Sequence, residues 1–194
     1  MTKENITIAA LRLFLLRGYK CVSLVDVANE IGITKGGIYH YFSSKEELLH
    51  VAIHHLFDRI EAKYIELFSS NISLCDTLNL IIVERELELY ARRLLGVEQG
   101  DYRINHASFA LEVMHNFPEL KERIDRSHEH FCNAIEQKLK KAIAEKKIRQ
   151  DLDVSALAVL ILSIVNGQNS LGKHIVTPTK RKEMMEIFWK LISV

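Results

Sequence analysis

The chain has 194 residues, 48% hydrophobic and 26% charged, with a formal net charge of +1. That is the balance of an ordinary globular chain of one or two domains, and it excludes a polybasic arm or an acidic tail. Eight glycines and two prolines exclude collagen-like and low-complexity designs. Three cysteines (Cys21, Cys75 and Cys132) are odd in number, far apart and without a C-x-x-C pair. They point to a reducing compartment rather than a disulfide framework. The longest apolar run, 156–165, is about half of the roughly 20 residues a membrane span needs. Glu4 and Asn5 stand where a signal peptide would carry its basic flank. A cytoplasmic protein without membrane attachment is the expectation.

Between Gly37 and Gly96, and again between Pro118 and Gly167, there is neither glycine nor proline. Such stretches, rich in Leu, Ile, Ala, Glu and Lys, favour helix and lack turn chemistry. Apolar residues recur at helical spacing, as in Ile6, Ala10, Leu13 and Phe14, and no strand-like alternation of useful length occurs. The fold class is therefore all-α, with about nine helices. A first helix runs from about Lys3 to a left-handed cap at Gly18. Ser23 caps a short second helix that stops before Gly32, and Thr34 caps a third reaching about Tyr41. Ser44 followed three residues later by Glu47 is a capping box opening a long fourth helix towards Phe68. After the polar stretch 69–73, further helices are expected at about 74–95, 102–116, 119–147, 153–172 and 180–193.

Residues 1–45 carry Lys3, Arg12, Arg17, Lys20, Lys35 and Lys45 against Glu4, Asp26 and Glu30, a local excess of three positive charges. A basic amino-terminal unit on a neutral or acidic helical body points weakly to a polyanionic partner. The segment 24–48 reads LVDVANEIGITKGGIYHYFSSKEEL. Leu24, Val27, Ala28 and Ile31 form the apolar stripe of a two-turn helix. Gly32 permits a tight turn, and Ile33 plugs its corner. The next helix turns Ile38 and Phe42 inward and leaves Thr34, Lys35, Gly36, Gly37, Tyr39 and His40 outward. This is a helix-turn-helix, whose outer surface suits a phosphate-lined groove.

This segment resembles the DNA-binding domain of TetR-family transcriptional regulators. The matching residues are Val27-Ala28, Gly32 to Gly36, Ile38-Tyr39, Tyr41-Phe42, Lys45-Glu46 and Leu48, preceded by Ala10, Leu13, Phe14, Gly18 and Tyr19. The resemblance covers about the first 50 residues. It implies a division into a DNA-binding domain, 1–46, and an effector-binding and dimerisation domain, 47–194. It also implies roles: Ser23 on a phosphate; Thr34, Lys35, Gly36 and Gly37 facing base edges; Tyr39 on a phosphate with His40 beside it; and Lys45 gripping the backbone. Gly37 departs from the family, which often has Thr, Ser, Ala or Asn there. The implied function is a ligand-responsive repressor that binds a near-palindromic operator in double-stranded DNA and is released by a small-molecule effector.

The carboxy-terminal body adds two expectations. The segment Asp153–Leu171 is apolar nearly all round, and the last helix carries Met184, Met185, Ile187, Phe188, Trp189 and Leu191. One face of each is covered by its own chain and the other by a second copy, making a homodimer. Tyr64, Tyr90, Phe109 and Asn166 are candidate lining residues of an effector pocket. An alternative comes from Glu47-x-x-His50 and Glu112-x-x-His115, the spacing of four-helix di-metal oxidases and ferritin-like proteins. Against it, Glu47 stands in the first turn of its helix, whereas such a site needs ligands at mid-bundle. No nucleophile elbow, P-loop or dinucleotide fingerprint occurs. Neither enzyme activity nor a metal or cofactor is expected.

Overall fold

A computed structural model describes residues 2–97, 106–172 and 174–194. It contains α1 (Lys3–Arg17), α2 (Leu24–Glu30), α3 (Lys35–Tyr41), α4 (Lys45–Ser69), α5 (Leu74–Ile82), α6 (Glu86–Leu95), α7 (His106–Asn116), α8 (Pro118–Ala144), α9 (Val154–Ser170) and α10 (Pro178–Ile192). The all-α expectation holds. Among the described residues there is only an isolated bridge between Ile148 and Ser193, and no helix is long and apolar enough to cross a membrane.

The helices pack as two compact units. One comprises Met1–Ile60 with Leu89–Asp125; the other comprises Glu61–Glu88 with Arg126–Val194. In the first unit a continuous apolar core joins Ile6, Leu11, Phe14, Val27, Ile38, Phe42, Leu48, Leu95, Val113 and Leu120. Arg12 closes one side, donating to Glu30 at 2.8 Å and to the Leu95 carbonyl at 3.2 Å. In the second unit α5 packs against α9 and α10. Lys138, itself buried, donates to the carbonyls of Ser70 and Ile72 at 2.7 Å each and so satisfies backbone acceptors just beyond the end of α4.

Among the departures from the expected helix bounds, three have a clear cause in the backbone. The single helix expected over 74–95 is two, α5 and α6, broken where Arg85 takes φ 58°. A left-handed non-glycine residue costs roughly 1–2 kcal/mol. It is held by tertiary bonds: Arg85 donates to Asn169 at 2.6 Å, and Arg181 donates to the Val83 carbonyl at 3.1 Å. Helix α8 stops at Ala144 rather than 147, because Lys146 (φ 56°) adopts the cap conformation glycine usually supplies. Lys146 N–H bonds Ile143 O, and Lys147 N–H bonds Ala142 O, both at 2.9 Å. Gly18 ends α1 with positive φ, 81°, but its ψ of 149° is extended rather than left-handed helical. The expected start at residue 102 of the helix over 102–116 lies outside the described residues.

The turn between α2 and α3 rests on backbone alone. Gly32 has φ 70°, and a Cβ built there meets nothing within 4 Å. Gly32→Ala is therefore expected to lower unfolding free energy by about 1–2 kcal/mol through strain without a clash. Gly36→Ala, in ordinary helical backbone, is expected to raise it by up to about 1 kcal/mol. Urea unfolding followed by circular dichroism measures both, and effects of equal sign would contradict this account.

Candidate nucleic-acid interface

The surface of interest is built from three helix starts in the first unit. Ser23 opens α2 with a reciprocal capping box: its Oγ accepts from the Asp26 N–H at 3.2 Å, and the Ser23 N–H donates to Asp26 Oδ2 at 2.7 Å. The Ser23 hydroxyl also donates to Asp26 Oδ2 at 2.5 Å. The helix ends in a Schellman turn, with Gly32 N–H on Asn29 O at 3.2 Å and Ile33 N–H on Ala28 O at 2.9 Å. Thr34 then opens α3, its Oγ1 accepting from the Gly37 N–H at 3.0 Å.

Seven residues make too short a helix to stand alone, and two glycines cost about 1 kcal/mol each. Burial of Ile38 and Phe42, at 0% and 1% exposure, contributes about 1.5–3 kcal/mol apiece and offsets this. Burying that face leaves Lys35, Gly36, Tyr39 and His40 exposed, with the His40 ring edge-on to Tyr41 at 5.3 Å. A Cβ at Gly37 would lie 3.3 Å from Thr34 Oγ1 and 3.7 Å from Ile33 Cβ. Glycine there makes room for the cap itself.

The start of α4 differs in detail from the expected capping box. Ser44 Oγ accepts from the Glu47 N–H at 3.0 Å, but the Glu47 carboxylate takes the N–H and hydroxyl of Ser43, both at 2.7 Å. These bonds hold the Glu47 carboxyl below its ordinary range, the side-chain bond first. Lys45 is half-buried. Its Nζ donates to the Tyr19 carbonyl at 2.7 Å and lies 4.1 Å from the Tyr19 ring centre. Loss of water around it lowers its pKa, against the field of Glu112. A shallow concavity of about 400 Å³ joins the starts of α2 and α4 to Tyr39 on α3, lined among others by Lys20, Ser23, Ser43, Ser44 and Lys45.

The eight expected DNA-facing residues thus fall into two groups. Lys35, Gly36, Tyr39 and His40 present themselves outward, whereas Ser23, Thr34, Gly37 and Lys45 also hold helix ends or a neighbouring turn. Lys20, Ser43 and Ser44 share the concavity and were not among the expected DNA-facing residues. Their signal was faint: Lys20 entered only the local charge count, Ser44 only as a helix cap, and Ser43 not at all. Of the local positive charges, Arg12 is turned to Glu30 and Leu95 and adds little to this face.

The other candidates are divided between the two units. Tyr64 is buried in the second unit, stacked on Phe131 at 4.4 Å and on Phe68 at 5.2 Å. Its hydroxyl has no hydrogen-bond partner among the described residues, and burial pushes its pKa up. Asn166 is exposed on α9 of the same unit. Tyr90 and Phe109 belong to the first unit, where Phe109 is core, stacked on Phe14 at 6.5 Å. Neither Glu-x-x-His pair assembles a metal cage. Glu47 is held by Ser43, His50 pairs with Glu119 at 2.9 Å, Glu112 accepts from the Tyr19 N–H, and His115 is exposed. No group of three His, Cys, Asp or Glu side chains placed to hold a metal occurs among the described residues.

Comparison with known proteins bears on this surface. The family profile "Bacterial regulatory proteins, tetR family" matches residues 6–52, and "Tetracyclin repressor-like, C-terminal domain" matches 106–188. The chain is 26% identical over 178 residues to the "Probable HTH-type transcriptional regulator ArpR" of Pseudomonas putida, covering 91% of this chain and 81% of that one. It is 25% identical over 166 residues to the HTH-type transcriptional regulator UidR of Escherichia coli K12, covering 86% and 79%. A TetR-family transcriptional regulator from Cytophaga hutchinsonii shares the fold at a TM-score of 0.76 and 18% identity, over 99% of this chain and 94% of that one.

The Asp26 carboxyl sits below its ordinary value of 3.8 because Ser23 donates to its charged form, the hydroxyl first and then the N–H. Stability from this cap is complete above about pH 4 and is lost as pH falls through the lowered value, since the unfolded chain takes up the proton first. Asp26→Asn is expected to flatten the acid limb of a stability-against-pH curve from urea unfolding. A limb of unchanged steepness would count against the cap.

Proposed function

The chain belongs to the TetR family of bacterial transcriptional regulators, and from that premise we propose that it is a cytoplasmic, ligand-responsive repressor. It binds a near-palindromic operator as a homodimer and is released by a small-molecule effector. The observation that carries the reading is the outward face of α3, where Lys35, Tyr39 and His40 are exposed while Ile38 and Phe42 are buried behind them. In the duplex, Thr34, Lys35, Gly36 and Gly37 meet the major groove. Tyr39, Lys45 and the amides at Ser23 meet phosphates, with His40 at the groove wall. The functional division at residues 46 and 47 belongs to this proposal, as does the effector pocket for which Tyr64, Tyr90, Phe109 and Asn166 were candidates.

Two features support dimerisation and control. On α9, Val159 and Leu160 are 53% and 50% exposed; on α10, Ile187 and Leu191 are 61% and 63% exposed. Apolar faces of that kind call for a cover, and a second copy supplies it. A two-fold dimer then spaces its recognition helices by one DNA turn, about 34–36 Å. Helix α4 is continuous from Lys45 at the DNA-facing surface to Ser69 in the second unit. An effector that tilts it changes that spacing, and by linkage DNA weakens effector binding by the same factor.

Lys35→Ala is expected to weaken binding to the gene's own upstream duplex and to reduce the slope of log affinity against log salt by about one per subunit. Tyr39→Phe is expected to weaken it with the slope nearly kept. Gel-shift titrations from low to high salt read both, and undiminished binding in both variants would overturn the assignment of α3. Leu160→Glu with Ile187→Glu is expected to convert a two-chain species into single folded chains in sedimentation equilibrium. An unaltered mass would place the dimer interface elsewhere.

A further inference from the structure

Lys45 is tethered at the DNA-facing surface, and the tether leads to α7. Its ammonium donates to the Tyr19 carbonyl and lies over the Tyr19 ring. Tyr19 is held in turn: its N–H donates to Glu112 Oε2 at 3.4 Å, and its ring stands edge-on to Phe14 at 5.4 Å and to Phe117 at 5.2 Å. Phe117 is the residue between α7 and α8. The neighbouring Gly18 has a positive φ, and a Cβ built there would lie 3.8 Å from Glu112 Oε2. Carboxylate, turn and ammonium therefore form a chain of direct contacts within the first unit.

We propose that Glu112 and Tyr19 are positioning residues for DNA binding. Glu112 on α7 fixes the turn at Tyr19, and the carbonyl and ring of Tyr19 fix the ammonium of Lys45 where a phosphate meets it. This rests on the DNA-binding reading above and adds a route of control to it. Helix α7 and the start of α8 lie in the segment matched by the carboxy-terminal family profile, and the link to Lys45 bypasses the length of α4. The 3.4 Å bond lies at the long end of hydrogen-bond distances, so a small displacement of α7 ends it and leaves Lys45 on an unheld turn. Glu112 acts as an acceptor that orders a backbone N–H, which glutamine can also do.

The test is a double-mutant cycle on affinity for the gene's upstream duplex, read by fluorescence anisotropy, with urea midpoints measured on every variant. Glu112→Ala is expected to weaken binding about five-fold, the lower end of typical coupling between sites. Glu112→Gln is expected to restore it. In a Lys45→Met background, Glu112→Ala is expected to change nothing further. Tyr19→Leu, which removes the ring but leaves Glu112 in place, repeats the cycle should Glu112→Ala lower the urea midpoint. Equal losses with and without Lys45, or full affinity in Glu112→Ala, would overturn the inference while leaving the DNA-binding reading intact. A wild-type chain that takes up no duplex would remove that reading itself.

Discussion

A helix of seven residues containing two glycines exists here because one side of it is buried. Ile38 and Phe42 enter a core shared with α1, α2 and α4, and burial of these two side chains outweighs the helix's poor propensity. The same constraint decides the chemistry. With one face committed inward, the residues between must point out, and those are an amine, a phenol, an imidazole and bare backbone. The caps at Ser23, Thr34 and Ser44 orient the three helix starts around this core, so the outward face is presented in one arrangement.

The candidate interface is thus a structural device first. Ser23 and Thr34 satisfy backbone donors that would otherwise be orphaned, and Lys45 ties the start of α4 to the turn after α1. On the proposed reading such residues serve stability and recognition together, and a substitution at one of them disturbs both. Lys35 and Tyr39 are different: they hold no cap, so under the proposed function they report on binding alone. The distinction between the two groups follows from hydrogen-bond partners and is invisible in residue type.

The second unit shows the opposite balance. Its helices α9 and α10 each bury one apolar face, with Leu157, Ile161, Met185 and Phe188 inward, and leave another outside. Its breaks are made by long-range partners. Arg181 and Arg85 bind groups far along the chain and stabilise an interruption between α5 and α6 for which there is no glycine or proline. A propensity argument has nothing to detect in Val83-Glu84-Arg85, and the end of α8 at Lys146 is silent for the same reason.

The sequence alone determined the helical class, the four amino-terminal helices to within a residue or so, the turn at Gly32 and the outward residues of α3. These follow from local rules: apolar period, hydroxyl caps, and the backbone freedom of glycine. Family membership was legible for the same reason, since those local signals are packed into fifty residues. Only the tertiary structure decided that Glu47 caps through Ser43, that Lys45 is held by Tyr19, whose N–H meets Glu112, and that Phe109 is core while Tyr64 is buried among aromatics elsewhere. Each of those depends on which distant side chain arrives at a given atom, and periodicity along the chain carries no information about that.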